Sequence, residues 1–229
     1  MSNPYTLPVS IAWRIREAQG DFVKPHTAQL TPELRARIRA SFDAAAGDEE
    51  HFPSTIDPRI YHVKLLREHL GHLHGKRVLD AGCGKGRFAR IFLAEAPAAE
   101  IWGLDISREM LRSAPPAMRA VVGSLTALPF SDAAFDAAYA VESLEHAVDI
   151  ESAVAGLCRV VKAGGRIAII DKNAAQWGKL ETPPWERWFT RAELERLLRR
   201  ACSKVSSCLI SYWEDVPPDG LFAAWLAVK

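Results

Sequence analysis

Arg77-Val78-Leu79-Asp80-Ala81-Gly82-Cys83-Gly84-Lys85-Gly86-Arg87-Phe88 is the stretch on which the reading of this chain turns. It opens as a short apolar strand, Val78 and Leu79, and runs into glycines at 82, 84 and 86. Phe88, Ile91, Phe92 and Leu93 then repeat at helical spacing. Strand, glycine loop and helix in succession let a backbone approach a ligand closely. A nucleotide-binding oxidoreductase is the first alternative, and the spacing argues against it. That fingerprint needs glycine at positions one, three and six, and the sixth position here is Arg87. Asp80, at the end of the strand, would repel a pyrophosphate and attract an amino group.

The stretch resembles motif I of the class I S-adenosylmethionine (SAM) methyltransferases, whose pattern is apolar-Leu-Asp-x-Gly-x-Gly-x-Gly. A second acid, Asp105, ends the next strand, Ile101-Trp102-Gly103-Leu104-Asp105-Ile106. The resemblance implies SAM as cofactor, with Asp105 on the ribose hydroxyls. It implies further contacts from Asp80, Gly82, Cys83, Gly84, Gly86 and Ile106. Gly123-Ser124-Leu125, followed by Leu128-Pro129-Phe130, resembles motif II. Ser124 stands where many relatives carry an Asp that meets the adenine amino group, and a hydroxyl accepts there without charge. Leu125 and, at the end of the fourth strand, Val141 complete the implied cofactor contacts.

At 229 residues the chain is long enough for one well-buried α/β domain and short for two. Its net charge is +1, and no basic stripe points to a nucleic-acid partner. Cys83, Cys158, Cys202 and Cys208 have no metal-ligand spacing, which suits a reduced, cytoplasmic protein. No apolar run approaches the ~18 residues that span a bilayer, so no membrane partner is expected. The composition says nothing of oligomeric state.

Residues 1–56 read as an N-terminal arm and lid helix, and 57–229 as the SAM-binding domain. Thr31-Pro32-Glu33 starts a helix that runs to about Ala46, and Asp57-Pro58 starts a second that runs to about Leu73. His69, His72 and His74 read either as a metal cluster or as imidazoles at the negative end of that helix dipole, and the second reading is preferred. Strands are then predicted at 77–81, 100–105, 119–123, 135–141 and 166–171. Helices alternate with them at 85–95, 107–114 and 149–161, the last stopped by Gly164-Gly165. The capping box Thr190-x-x-Glu193 opens a helix over 190–201. Strands at 205–213 and 221–228 have no helix between them and should pair antiparallel. The expected fold is α/β: a doubly wound, mostly parallel seven-stranded sheet with a C-terminal antiparallel hairpin, Rossmann-like.

Ligands of such sheets bind beyond the carboxyl ends of the strands. There the chain carries Val141-Glu142-Ser143-Leu144-Glu145-His146. It resembles the Glu-x-x-Glu-His of the O-methyltransferases of ubiquinone biosynthesis, within the type 11 methyltransferase-domain group, where these positions are linked with a divalent metal. On a helical turn, positions i, i+3 and i+4 share a face, so Glu142, Glu145 and His146 can converge to hold Mg²⁺. Without metal, the imidazole of His146 is a candidate general base. Asp57-Pro58-Arg59 resembles the Asn-Pro-x-Arg of that group, which implies Arg59 on the SAM carboxylate. Residues 174–188 depart from the group, so its polyprenyl substrate does not carry over. Trp177, Trp185 and Trp188 form a candidate aromatic wall, and Tyr5, Trp13, Phe52 and Tyr61 a second cover. The expected activity is methyl transfer to a small-molecule acceptor, most simply a hydroxyl of an aromatic or compact metabolite. Alternatives are C- or N-methylation, or SAM binding without catalysis.

Overall fold

The computed structural model describes residues 29–229. After helices α1 (Pro32–Ala45) and α2 (Tyr61–Leu70), strands and helices alternate: β1 (Arg77–Ala81), α3 (Arg87–Glu95), β2 (Glu100–Asp105), α4 (Arg108–Leu111), β3 (Arg119–Val122), β4 (Phe135–Val141), α5 (Ile150–Val160) and β5 (Val161–Lys172). The chain closes with α6 (Arg191–Leu198), β6 (Lys204–Ile210) and β7 (Phe222–Val228). The strands form one sheet in the order β3-β2-β1-β4-β5-β7-β6. Strands β1 to β5 pair in parallel, and β7 runs antiparallel between β5 and β6. The order reverses between β1 and β4, which opens a crevice at their carboxyl ends.

Period-two alternation divides the sheet's residues between two cores. Leu79, Ala138, Ala140, Ile167, Ile169 and Trp225 face α5 and α6, meeting Val154, Leu157, Leu194 and Leu198. Val78, Ala137, Tyr139, Ala168, Ile170 and Ala224 face α2 and α3, meeting Val63, Leu66, Phe88 and Phe92. Helices on both faces explain why the central strands read as apolar runs rather than as alternation.

The predicted elements form, with four local corrections. Helix α2 starts at Tyr61 rather than at Asp57, because the Asp57 carboxylate accepts from the Arg59 N–H at 2.9 Å and holds a turn there. Helix α4 ends at Leu111, three residues short of the predicted 114. Helix α5 ends at Val160, before the glycine pair, and leads straight into β5. Pairing jumps from Phe135–Val161 to Ala137–Arg166, so Gly164 and Gly165 sit in an excursion of β5 instead of capping the helix. Thr190 caps α6 by accepting from the Glu193 N–H at 3.1 Å, whereas the Glu193 carboxylate pairs with Arg187 instead of reaching back.

Gly82 follows β1 with φ +76°, and a β-carbon there would lie 2.4 Å from the Ser143 β-carbon. Strain and overlap act together at this position. Gly82→Ala is therefore expected to destabilise the protein by roughly 2–5 kcal/mol, read as a lower midpoint in denaturant at unchanged slope.

Candidate active site

A cavity of about 300 Å³ opens at the carboxyl ends of β1, β2 and β4. Asp80, Gly82, Cys83, Gly84, Asp105, Ile106, Ser124, Leu125 and Val141 all line it, as the motifs imply. Gly86 does not; it caps α3 from just outside. Arg59 does not either. Its guanidinium is 80% exposed and is held by Asp57 at 2.6 Å, so the turn that shortens α2 also points this arginine away from the cavity. Arg87 lines the cavity instead, as does Arg35 of α1.

Two buried carboxyl groups set the charge of the floor. Asp105 accepts from the Gly84 N–H and the Ser107 N–H, both at 2.8 Å. Burial nonetheless raises its pKa above the ordinary range. Asp80 accepts from the Tyr139 hydroxyl at 3.0 Å. Burial, reinforced by the charge of Asp105, pushes Asp80 up to about 7. A floor of this kind favours a ligand that brings positive charge and hydroxyl donors. Gly84 adds room: a β-carbon there would meet nothing within 4 Å, so its face is open to the cavity. SAM, with its sulfonium, ammonium and ribose diol, fits this donor set. The Ser124 hydroxyl lies 2.9 Å from the Thr126 hydroxyl, so an adenine contact there has to share it.

The 142–146 segment departs from the expected single helical face. Glu142 takes φ +50°, and its carboxylate turns to Arg87 Nη2 at 3.0 Å. Leu144–His146 form a 3-10 turn, pinned where the Glu145 N–H donates to Asp171 Oδ2 at 3.2 Å. Glu145 and His146 thus stand together and Glu142 stands apart. Glu186, which sequence reasoning missed, supplies the second acid. His146 Nε2 lies 3.4 Å from Glu145 Oε1, and its Nδ1 lies 3.9 Å from Glu186 Oε2. Lys172, at the end of β5, reaches both carboxylates. Burial pushes the Glu145 carboxyl up, but the Lys172 ammonium and His146 outweigh it, and the net shift is down. Glu186 and Asp171 are both shifted up, by burial and by the charge of Glu145. The expected Mg²⁺ set of Glu142, Glu145 and His146 therefore does not assemble. Glu145, His146 and Glu186 do come together, but an ammonium already lies against both carboxylates, so a divalent ion does not fit.

The cavity is covered from the N-terminal side. Ile38 and Phe42 of α1, with Phe52 and Pro53 of the following loop, line it opposite Asp105 and His146. Phe42 stacks edge-on against His146 at 5.0 Å and against Phe52 at 5.9 Å. Two polar latches hold this cover. Asp43 accepts from the Ser107 hydroxyl at 2.6 Å, and Lys85 of the glycine loop donates to Glu49 at 2.6 Å. Of the three tryptophans, Trp185 reaches the cavity, while Trp177 and Trp188 stack on each other at 5.1 Å in a separate apolar cluster. Tyr61 does not line the cavity, and Tyr5 and Trp13 lie outside the described residues. His69 serves the fold: its Nε2–H donates to the Ile167 and Ala227 carbonyls at 3.0 and 3.1 Å.

Residues 79–169 match the family described as "Methyltransferase domain". An O-methyltransferase of Aspergillus nomiae is 35% identical over 162 residues, covering 66% of this chain and 70% of that protein. A malonyl-[acyl-carrier protein] O-methyltransferase of Pseudescherichia vulneris is 31% identical over 164 residues, covering 70% of this chain and 63% of that protein. Among solved structures, geranyl diphosphate C-methyltransferase from Streptomyces coelicolor, in complex with Mg²⁺, geranyl diphosphate and S-adenosyl-L-homocysteine, superposes with a TM-score of 0.63. The identity is 17%, and the match covers 88% of this chain and 99% of that one.

Two expectations follow from the floor. Asp80 keeps its proton in the ligand-free fold up to about pH 7, against 3.8 for an ordinary Asp. The folded state therefore binds more protons than the unfolded state between those values, and this group's contribution to stability falls as pH rises through that window. A cation placed beside Asp80 ionises it, so SAM binding at about pH 6.5 should release up to about one proton. Calorimetry in buffers of different ionisation enthalpy reads this, and Asp80→Asn should abolish it. Asp105→Ala should weaken S-adenosylhomocysteine by ~1–3 kcal/mol, while Arg59→Ala should leave its affinity within about twofold.

Proposed function

This chain belongs to the class I SAM-dependent methyltransferases, and we propose that it transfers the methyl group to a hydroxyl of a flat, largely apolar small molecule. The observation that carries this reading is His146, a histidine at the cavity whose buried ring nitrogen Nδ1 has no hydrogen-bond partner. His51 also lines the cavity, but its ring is engaged by Asp48 at 2.7 Å. We read residues 1–56 as the covering arm and 57–229 as the methyltransferase domain.

Bound SAM supplies an already activated methyl group, so the protein has to position the acceptor, remove its proton and keep water away. Phe42, Phe52 and Trp185 offer rings against which a flat acceptor packs. The imidazole of His146 takes the hydroxyl proton. The imidazolium that forms stands 3.4 Å from Glu145 and 3.9 Å from Glu186. The Arg87–Glu142 pair closes the cavity on the opposite side, with both side chains less than 20% exposed. C- or N-methylation is the other outcome of the same fold, and would leave His146 to orient the acceptor only.

His146→Ala is expected to cut turnover by ~10²–10⁴-fold while leaving S-adenosylhomocysteine affinity unchanged. His146→Gln should not restore the rate, because an amide cannot take up the proton. Methyl transfer from labelled SAM to a panel of phenolic and aliphatic hydroxyl acceptors, followed by mass spectrometry of the product, checks both. Near-normal turnover by His146→Ala at saturating SAM would sink the general-base assignment.

A further inference from the structure

Two carboxylates buried side by side require a positive charge, and the glutamate–histidine pattern at this centre resembles one linked with a divalent ion. The geometry of the chain answers the requirement differently. Glu145 on the 3-10 turn and Glu186 in the loop before α6 have side chains 1% and 0% exposed. Lys172 Nζ, equally buried, lies 2.6 Å from Glu145 Oε1 and 3.0 Å from Glu186 Oε1. The Trp188 indole N–H donates to the same Glu186 oxygen at 2.6 Å, and its ring lies 5.7 Å from the ammonium. Lys172 has little freedom to leave. It is the last residue of β5, in register with Phe222 of β7, and its own N–H donates to Asp171 at 2.8 Å. A protonated amine offers three donors and no lone pair, so it bridges carboxylates but cannot share a coordination sphere. An ion held by Glu145, His146 and Glu186, whose ligand atoms come within 4.8 Å of one another, would stand against that ammonium and be repelled by it.

We infer that Lys172 is the resident cation of this centre, a covalently tethered charge standing in place of a divalent ion, so that methyl transfer needs no metal. Only the last clause rests on the proposed methylation. Lys172 is a positioning residue. It takes one oxygen of each carboxylate and leaves the other: Glu145 Oε2, Glu186 Oε2 and His146 Nδ1 are buried without a hydrogen-bond partner. Of these three residues, Glu145 and His146 line the cavity. Because the cation belongs to the chain, this arrangement exists before any ligand arrives.

Mn²⁺ binding, followed by electron paramagnetic resonance on the full chain with S-adenosylhomocysteine present, tests the inference without any acceptor. The wild type should hold no Mn²⁺ that Glu145→Gln removes. Lys172→Met, with its carboxylates uncompensated, should bind Mn²⁺ at least about tenfold more tightly than the wild type, and adding Glu186→Gln should abolish that gain. Lys172→Arg keeps the charge and should behave as the wild type; it serves if the methionine variant does not fold. Stoichiometric Mn²⁺ binding by the wild type that is lost in Glu145→Gln overturns the inference, as does a folded Lys172→Met protein that gains no site. Turnover is read separately. EDTA should leave it within about twofold, and a loss that Mg²⁺ restores also overturns the inference. Absence of turnover with every hydroxyl acceptor counts against O-methylation, while the Mn²⁺ measurement still decides the role of Lys172.

Discussion

One carboxylate joins the two loops that make the cofactor site. Asp105 ends β2 and accepts from the glycine loop after β1 through one oxygen and from the start of α4 through the other. Both donors are backbone amides, so the bond fixes main chain rather than side chains. Ser107 extends the connection. Its hydroxyl caps α4, accepting from the Met110 N–H at 3.1 Å, and donates to Asp43 of α1. A line of hydrogen bonds thus runs from the glycine loop through the end of β2 to the helix that covers the cavity. The cofactor's hydroxyls are expected at the one member of this line that carries a buried charge. Loss of Asp105 would leave two amides, those of Gly84 and Ser107, unpaired at once, which costs more than the missing contact alone.

The fold was legible in the sequence because its signals are local. Apolar strands, the spacing from Asp80 to Gly86, an acid at the end of the next strand and two final strands without a helix between them are all read within a few residues. The cofactor floor was legible for the same reason: strand ends put Asp80, Asp105 and Val141 on one rim. The acid–base centre was only half legible. His146 and Glu145 lie in one turn, but Glu142 escapes through a left-handed backbone conformation that no periodicity reveals. Lys172 meets Glu145 across 27 residues and Glu186 across 14, and contacts of that separation have no local signature. One signal was available: a lysine ending the apolar run Ile167-Ala168-Ile169-Ile170 must find buried acids. Arg59 misled because its motif carries an acid two residues earlier, and that acid holds the guanidinium in the turn.

The two ends of the cavity handle buried charge by opposite means. At the floor, burial raises the proton affinity of both Asp80 and Asp105, the charge of Asp105 adds to the shift of Asp80, and no cation of the chain reaches either of them by an ion pair among the described residues. A cation placed there would meet carboxyl groups that no cation of the chain already holds, and would favour their ionised forms. At the acceptor end, Lys172 compensates Glu145 and Glu186 permanently. A permanent partner there leaves a ligand little electrostatic gain, and what the cavity offers beside it is the rings of Phe42, Phe52 and Trp185.

The cover over the cavity touches the rest of the molecule lightly. Ile38 is the residue that α1 buries, and the two latches end on Ser107 and Lys85, both of which belong to cofactor loops. Seating of α1 and order in those loops are therefore coupled: a ligand that tightened the loops would favour the seated helix, and the seated helix would favour that ligand by the same factor. An α1 that had to unseat before the spent cofactor left would make the exit step answer to residues remote from the chemistry.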